Sequence, residues 1–228
     1  QRTFGPVLAL VFLVDRDAEF IFKHGLEAGF GISQKSSRQF PTYKLMAGRR
    51  EVYDRRHDIV AATGVKAGMV VADIGAGTGL FTRLFATRVG ASGKVYAVDI
   101  SAPFVHNITR ISRAQGQTNV TGVVNSQTGA GLAPQSLDLA FICDTYHHFE
   151  YPRQMLASIH EALRNDGRVI IVDFRRDPRV SSRWVMGHVR GNKAQTIEEM
   201  QEASFRLVAD RPLMRTNYFL EFVKVAGE

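Results

Sequence analysis

One stretch constrains the fold of this chain more than any other: Met69-Val-Val-Ala-Asp-Ile-Gly-Ala-Gly-Thr-Gly-Leu80. Met69 to Ala72 is a short apolar run with β-branched residues, which reads as a buried strand. Asp73 follows at its carboxyl end. Gly75, Gly77 and Gly79 alternate with small residues, and Leu80-Phe-Thr-Arg-Leu-Phe-Ala86 begins a helical pattern. The order is strand, acid, glycine turn, helix. Glycines let the backbone turn tightly and bring its N–H groups close to a ligand, with no Cβ in the way. The helix start adds unpaired N–H groups and partial positive charge.

Two cofactors use such a turn. The dinucleotide fingerprint is G-x-G-x-x-G. Here the glycines run G-x-G-x-G, and an acid stands two residues before the first. A carboxylate at that point repels a pyrophosphate and suits a ligand with an ammonium group. S-adenosylmethionine (SAM) carries one on its methionine end. NAD and a plain structural turn are the alternatives. The next element favours SAM. Lys94 to Val98 reads as a second strand, and Asp99 ends it. An acid about 20 residues after a glycine turn, at the tip of the next strand, is placed to accept ribose hydroxyls. The other role open to Asp99 is a helix cap, for which Ser101, directly before Ala-Pro, is better suited.

With these residues in place the chain resembles the class I SAM-dependent methyltransferases. The resemblance rests on Val71-Ala-Asp-Ile-Gly-Ala-Gly-Thr-Gly79, on Val98-Asp99 and on Leu137-Asp-Leu-Ala-Phe-Ile-Cys-Asp-Thr-Tyr-His-His-Phe149, and spans roughly residues 53–225. It implies SAM as cofactor. It also implies cofactor contacts from Asp73, Gly75, Ala76, Gly77, Thr78 and Gly79 in the loop, and from Asp99 and Ile100 at the second strand tip. Asp144 after the fourth strand, and Tyr53 on the helix before the first, complete the set. The family usually places an acid near the third strand tip for the adenine amino group. This chain has Asn125-Ser126-Gln127 there, so Asn125 or Ser126 supplies an amide or hydroxyl oxygen instead.

Strands alternate with helices from residue 69 to 203, which predicts an α/β doubly wound sheet. The expectation is a mostly parallel, seven-stranded, Rossmann-like sheet with an antiparallel edge strand. Residues 1–42 read as an N-terminal extension, either a lid or partly disordered, and residues 43–228 as the methyltransferase domain. A helix is expected from Tyr43 to Thr63, ended by Gly64. Asn165-Asp-Gly167 reads as a turn before a fifth strand, Arg168 to Asp173. A basic loop runs from Phe174 to Trp184, a helix opens at Thr196, and Phe205 to Asp210 and Tyr218 to Val225 form a final antiparallel pair. Ligands of such sheets bind beyond the carboxyl ends of the strands, and Asp73, Asp99, Ser126, Asp144 and Asp173 all stand there.

Methyl transfer from a sulfonium needs nucleophile, carbon and sulfur held in a line, with water removed. Some acceptors also need a base. The candidates follow the fourth strand: His147 or His148 as base, because imidazole titrates near neutrality, and Tyr146 to orient the acceptor. Packing of the loop is the plainer role for the paired histidines. A metal site is not expected, because no carboxylate or third histidine stands at helical spacing beside the pair. Asp144 is followed by Thr145-Tyr146-His147 rather than Pro-Pro-aromatic, which disfavours the amino-methylation of DNA and glutamine. Four arginines lie between Phe174 and Trp184, and guanidinium groups grip carboxylates and phosphates through paired hydrogen bonds. Arg175 and Arg190 are therefore candidate contacts for an anionic acceptor, with a solvated basic loop as the alternative.

The net charge of +7 admits nucleic acid, an anionic surface or an acidic substrate. No basic repeat or aromatic stacking motif accompanies it. The leading reading is methyl transfer to a small-molecule oxygen, sulfur or carbon nucleophile. The alternatives are an RNA or protein methyltransferase and a SAM-binding protein without catalysis. One cysteine, Cys143, precludes an internal disulfide. Phe4 to Val14 is apolar but too short to span a membrane. The expectation is a cytoplasmic protein, or alternatively an exported or periplasmic one with a trimmed signal segment, since the chain starts at Gln1.

Overall fold

A computed structural model of the chain describes residues 51–225. The extension at 1–42 and the beginning of the helix expected from Tyr43 lie outside the described residues. Within them, α1 (Glu51–Asp54) and α2 (Arg56–Ala62) lead to β1 (Val70–Ile74). Gly64, at φ +66°, ends the helical stretch as a residue without a Cβ can. Then follow α3 (Leu80–Val89), β2 (Lys94–Asp99), α4 (Ala102–Ala114), β3 (Val120–Val124) and β4 (Leu137–Cys143). A short 3₁₀ turn, Tyr146–His148, precedes α5 (Pro152–Ala162), β5 (Leu163–Phe174), α6 (Arg183–His188), α7 (Lys193–Glu202), β6 (Phe205–Asp210) and β7 (Asn217–Lys224).

The seven strands form one sheet in the order β3-β2-β1-β4-β5-β7-β6. β1 to β5 pair in parallel, and β7 runs antiparallel to both β5 and β6. The chain works outward from β1 to β3, then returns to lay β4 on the other side of β1. That reversal leaves a crevice between the carboxyl ends of β1 and β4, where ligands of doubly wound sheets bind.

Apolar side chains fill both faces, as parallel sheets require. On one face Val71, Ala97, Phe141 and Val172 pack under Ile59, Phe85 and Ile108 from α2, α3 and α4. On the other, Ile74, Ala140, Ile142 and Ile171 pack under Leu156, Ile159 and Met200 from α5 and α7. Burying each such side chain is worth about 1.5–3 kcal/mol, which holds the strand tips in register.

Three boundaries differ from the sequence reading. β5 starts at Leu163, but its pairing with β4 jumps from Leu137↔Leu163 to Leu139↔Arg168, so the Asn165-Asp-Gly167 turn sits inside the strand as a bulge. The basic loop is interrupted by α6, capped by Ser182 accepting from the Val185 N–H. α7 starts at Lys193 rather than Thr196, because the Asn192 side chain caps it by accepting from the Gln195 N–H.

Candidate functional site

β1 hands the chain to a loop with Gly75, Gly77 and Gly79 at φ +73°, +55° and +78°. This is the left-handed region that side chains with a Cβ avoid. Space forbids a Cβ as well. At Gly75 it would lie 2.2 Å from Thr145 Cγ2, and at Gly79 it would lie 2.9 Å from Ile108 Cγ1. The N–H groups of Gly75 and Ala76 both donate to the Val98 carbonyl, at 2.8 and 3.0 Å. Gly77 N–H donates to Asp99 Oδ2 at 2.9 Å. The loop is thereby tied to the tip of β2, with Ala76 and Thr78 almost fully covered.

Asp99 also accepts from the Ser101 N–H, at 2.8 Å, through its other oxygen. An ionised carboxylate has about four acceptor positions, so two remain for a pair of hydroxyls. Burial raises its pKa, and the N–H groups of Ser101 and Gly77 oppose that rise.

Asp73 lies beneath the loop, on the face covered by α3. It is 3% exposed, and its Oδ2 accepts from the Thr82 hydroxyl at 2.6 Å. Burial lifts its pKa to about 6, against the lowering effect of Thr82. The charge of Arg83, whose guanidinium donates to the Thr78 carbonyl at 2.8 Å, also lowers it, but as the smallest contribution. A poorly solvated carboxylate below an open turn favours the arrival of a cation.

At the neighbouring tips, Ile100 is 50% exposed although large and apolar. Asn125 N–H donates to the Asp99 carbonyl at 3.2 Å and its Nδ2 to the Ser126 carbonyl at 2.9 Å. Its Oδ1 is enclosed and has no partner. Ser126 is exposed, with Oγ 3.2 Å from Thr128 Oγ1. Tyr53 is engaged within its own helical segment: the Arg56 guanidinium lies 4.2 Å from its ring centroid. The left-handed glycines, the spare acceptor positions of Asp99, the apolar Ile100 and the orphaned amide oxygen all fit an adenosyl ligand.

Past β4, Asp144 takes φ +51°, donates its N–H to the Val172 carbonyl at 2.8 Å, and accepts from Asn217 Nδ2 at 2.8 Å. Thr145 Oγ1 then reaches the Gly75 carbonyl at 3.3 Å. The next three residues form the 3₁₀ turn. Tyr146 is 2% exposed and donates its hydroxyl to Glu199 Oε2 at 2.6 Å. Burial, then Glu199, pushes the phenol far above its ordinary pKa. His147 is 8% exposed. Its N–H donates to Asp173 Oδ2 at 3.0 Å, and its Nδ1 stands 2.7 Å from Asp173 Oδ1. Asp173, fully buried, also accepts from the Phe174 N–H at 2.7 Å. A carboxylate receiving those N–H groups fixes the proton on Nδ1, which leaves Nε2 as the free lone pair.

His148 lies beside His147, with ring centroids 4.1 Å apart, and α6 adds His188 at 5.2 Å from His147 and 5.0 Å from His148. Trp184 stacks on His188 at 4.3 Å. Burial first, then the neighbouring imidazoles, lowers the pKa of His148 to about 4; the same causes lower that of His188. The pair has no third histidine or carboxylate at helical spacing, as expected from the sequence, but the fold brings one of each to it. His188 arrives from another element and Asp173 from the next strand, neither at helical spacing.

The basic segment is less free than its composition suggests. Arg190 Nη1 and Nη2 grip Glu199 at 2.6 and 2.7 Å, and its guanidinium lies 5.3 Å from the Tyr146 ring centroid. Arg179 pairs with Asp177. Arg175 is anchored through its backbone, its N–H donating to the Thr216 carbonyl at 2.8 Å. Glu199, Thr82 and Thr145 were not singled out by sequence reasoning, and His188 stood out only as part of the positive run it shares with Arg190 and Lys193. Glu199 could be read only as a helix-dipole residue, and no local pattern marks Thr82 or Thr145.

Comparison with known proteins agrees with the geometry. Residues 72–169, from β1 into β5, match the family model described as a methyltransferase domain. The ubiquinone/menaquinone biosynthesis C-methyltransferase UbiE of Hydrogenovibrio crunogenus is 27% identical over 54% of this chain and 48% of its own. The chain thus spans about half the length of the curated relatives it matches. A SAM-dependent methyltransferase from Aquifex aeolicus superposes with a TM-score of 0.68 at 20% identity, covering 73% of this chain and 87% of the other. The [4+2]-cyclase SpnF superposes at 0.65 and 15% identity, covering 76% and 81%. Both likenesses concern the fold. No helix among the described residues is long and apolar enough to cross a membrane. The matched methyltransferase domain, the sheet and the glycine loop together support a class I SAM-dependent methyltransferase, with SAM as its cofactor.

Proposed function

We propose that this chain transfers a methyl group from SAM to a small-molecule nucleophile at oxygen, sulfur or carbon. SAM, when bound, supplies a methyl group on a sulfonium that leaves as a neutral thioether. The residues then have two tasks: to hold the donor and to present the acceptor in line with it. On the donor side, Asp99 takes the ribose hydroxyls, Ile100 packs on the adenine face, and Asn125 Oδ1 or Ser126 accepts from its amino group. The Asp73 carboxylate, with Asp144 nearby, favours the ammonium end. The acceptor belongs at the tips of β4 and β5, beside His147 and His148, with Arg175 at the rim for an anionic group. Tyr146 and Arg190, both locked on Glu199, brace this wall.

The observation that carries the reading is the contact of Thr145 with Gly75. It joins the glycine loop and the imidazole-bearing turn on one edge of the sheet, with a single residue between Thr145 and His147. The similarity to UbiE, named a C-methyltransferase, supports a carbon acceptor among the three.

Incubation with methyl-labelled SAM and a small-metabolite pool, followed by mass identification, tests this. One labelled small molecule is expected. Label found only in RNA or protein would select those acceptors instead. No label despite binding of S-adenosylhomocysteine would mark a non-catalytic SAM-binding protein.

A further inference from the structure

His147, His148 and His188 each offer one ring nitrogen, and these three atoms lie within 4.8 Å of one another. His188 stands 40 positions after His148, with α5 and β5 between them in the chain, so no helical repeat produces the grouping. We infer that the three imidazoles form a binding site for a divalent first-row transition ion of the zinc class, at the carboxyl edge of β4 and β5.

Three features support it. The first is donor chemistry: imidazole nitrogen suits zinc, iron, nickel and copper, and a set of three imidazoles leaves a fourth position for solvent or substrate. The second is the outer support. Asp173 holds His147 through Nδ1 at 2.7 Å and is itself fixed by two backbone N–H groups, from His147 and Phe174. This is the carboxylate–histidine arrangement that orients a ligating ring and turns Nε2 outward. The third is reach. Nitrogens bound tetrahedrally at about 2.0–2.1 Å from zinc stand about 3.4 Å apart. His148 and His188 are on the exposed side of the cluster, so small ring rotations close the gap while buried His147 stays in place. Trp184, stacked on His188, limits the rotations open to that ring.

The exposure of His148 and His188 directs the remaining position of the ion outward, toward the proposed acceptor. An oxygen ligand there, from a hydroxyl or carboxylate of the acceptor, is the chemical class the site takes. This role rests on the methyl-transfer reading, whereas occupation of the site does not.

The test uses the full 228-residue chain without a histidine tag, stripped with chelator. Co²⁺ and Zn²⁺ are titrated in competition with a chromophoric chelator, and S-adenosylhomocysteine binding is measured on the same sample. One ion per chain is expected, with the visible ligand-field absorption of Co²⁺ in a nitrogen-rich site of low coordination number. Asp173→Asn should weaken binding about 10–100-fold, and the exposed pair His148→Ala/His188→Ala should abolish it. Circular dichroism checks that each variant is folded. Retention of the ion by the folded double variant, or failure of the wild type to bind one ion, overturns the site. S-adenosylhomocysteine binding without metal binding removes this inference and leaves the methyltransferase reading in place. Metal binding without S-adenosylhomocysteine binding does the reverse.

Discussion

Asp73 shows how one side chain links stability to ligand chemistry. Its pKa in the fold is about 6, raised chiefly by burial, against about 3.9 in an unfolded chain. The folded state therefore holds this proton more tightly. Its stabilising effect is complete below about pH 4 and is lost as pH rises through about 6. At about 1.4 kcal/mol per pH unit of displacement, the ionised carboxylate costs the ligand-free fold on the order of 2–3 kcal/mol above pH 6. Asp73→Asn should thus raise the urea-unfolding stability of ligand-free protein at pH 7.5 by about 1–2 kcal/mol and change little at pH 4, while weakening cofactor binding. Equal effects at both pH values would remove burial as the cause. The sequence located this carboxylate and its proximity to the loop. It did not reveal that the side chain turns under the loop to Thr82, because that depends on how α3 packs on the sheet.

The loop and turn at the tips of β1 and β4 act as one element. Gly75→Ala meets two penalties, a Cβ inside the Thr145 side chain and a left-handed φ. A non-glycine residue at such a φ costs about 1–2 kcal/mol before any clash. The variant should melt several degrees lower and lose S-adenosylhomocysteine binding, as calorimetry would show. His147→Asn tests the other half. It should lower kcat at least 100-fold and leave S-adenosylhomocysteine affinity within about threefold, whether the imidazole acts directly or through an ion. A parallel loss of cofactor affinity would move His147 out of the acceptor wall. Most strands were legible because an apolar run followed by an acid is a local signal; β1 and β2 fall within a residue or two of their expected limits. α6 was not legible. Its six residues carry one buried side chain, Val185, and arginine dominates its approach. His188 was visible only as part of a positive run, not as a neighbour of the histidine pair.

Across the whole described domain, the topology followed from the alternation of strand and helix patterns. The strand order adds what no local pattern contains: β7 between β5 and β6, and the return of the chain from β3 to β4. That return sets the glycine loop beside the imidazole turn. The positive charge is partly spent internally, since Arg164, Arg168, Arg190 and Arg211 all pair with carboxylates. Composition alone therefore overstates the pull on anionic partners. Asp99 and the loop it clasps form the proposed adenosyl site on which methyl transfer depends. Isothermal titration with S-adenosylhomocysteine measures this directly, for the wild type and for Asp99→Ala. Removing two charge-assisted hydrogen bonds to ribose, at about 1.5 kcal/mol or more each, predicts saturable one-to-one binding that weakens about 100-fold in the variant. No binding to the wild type, or equal affinity in both proteins, would contradict it.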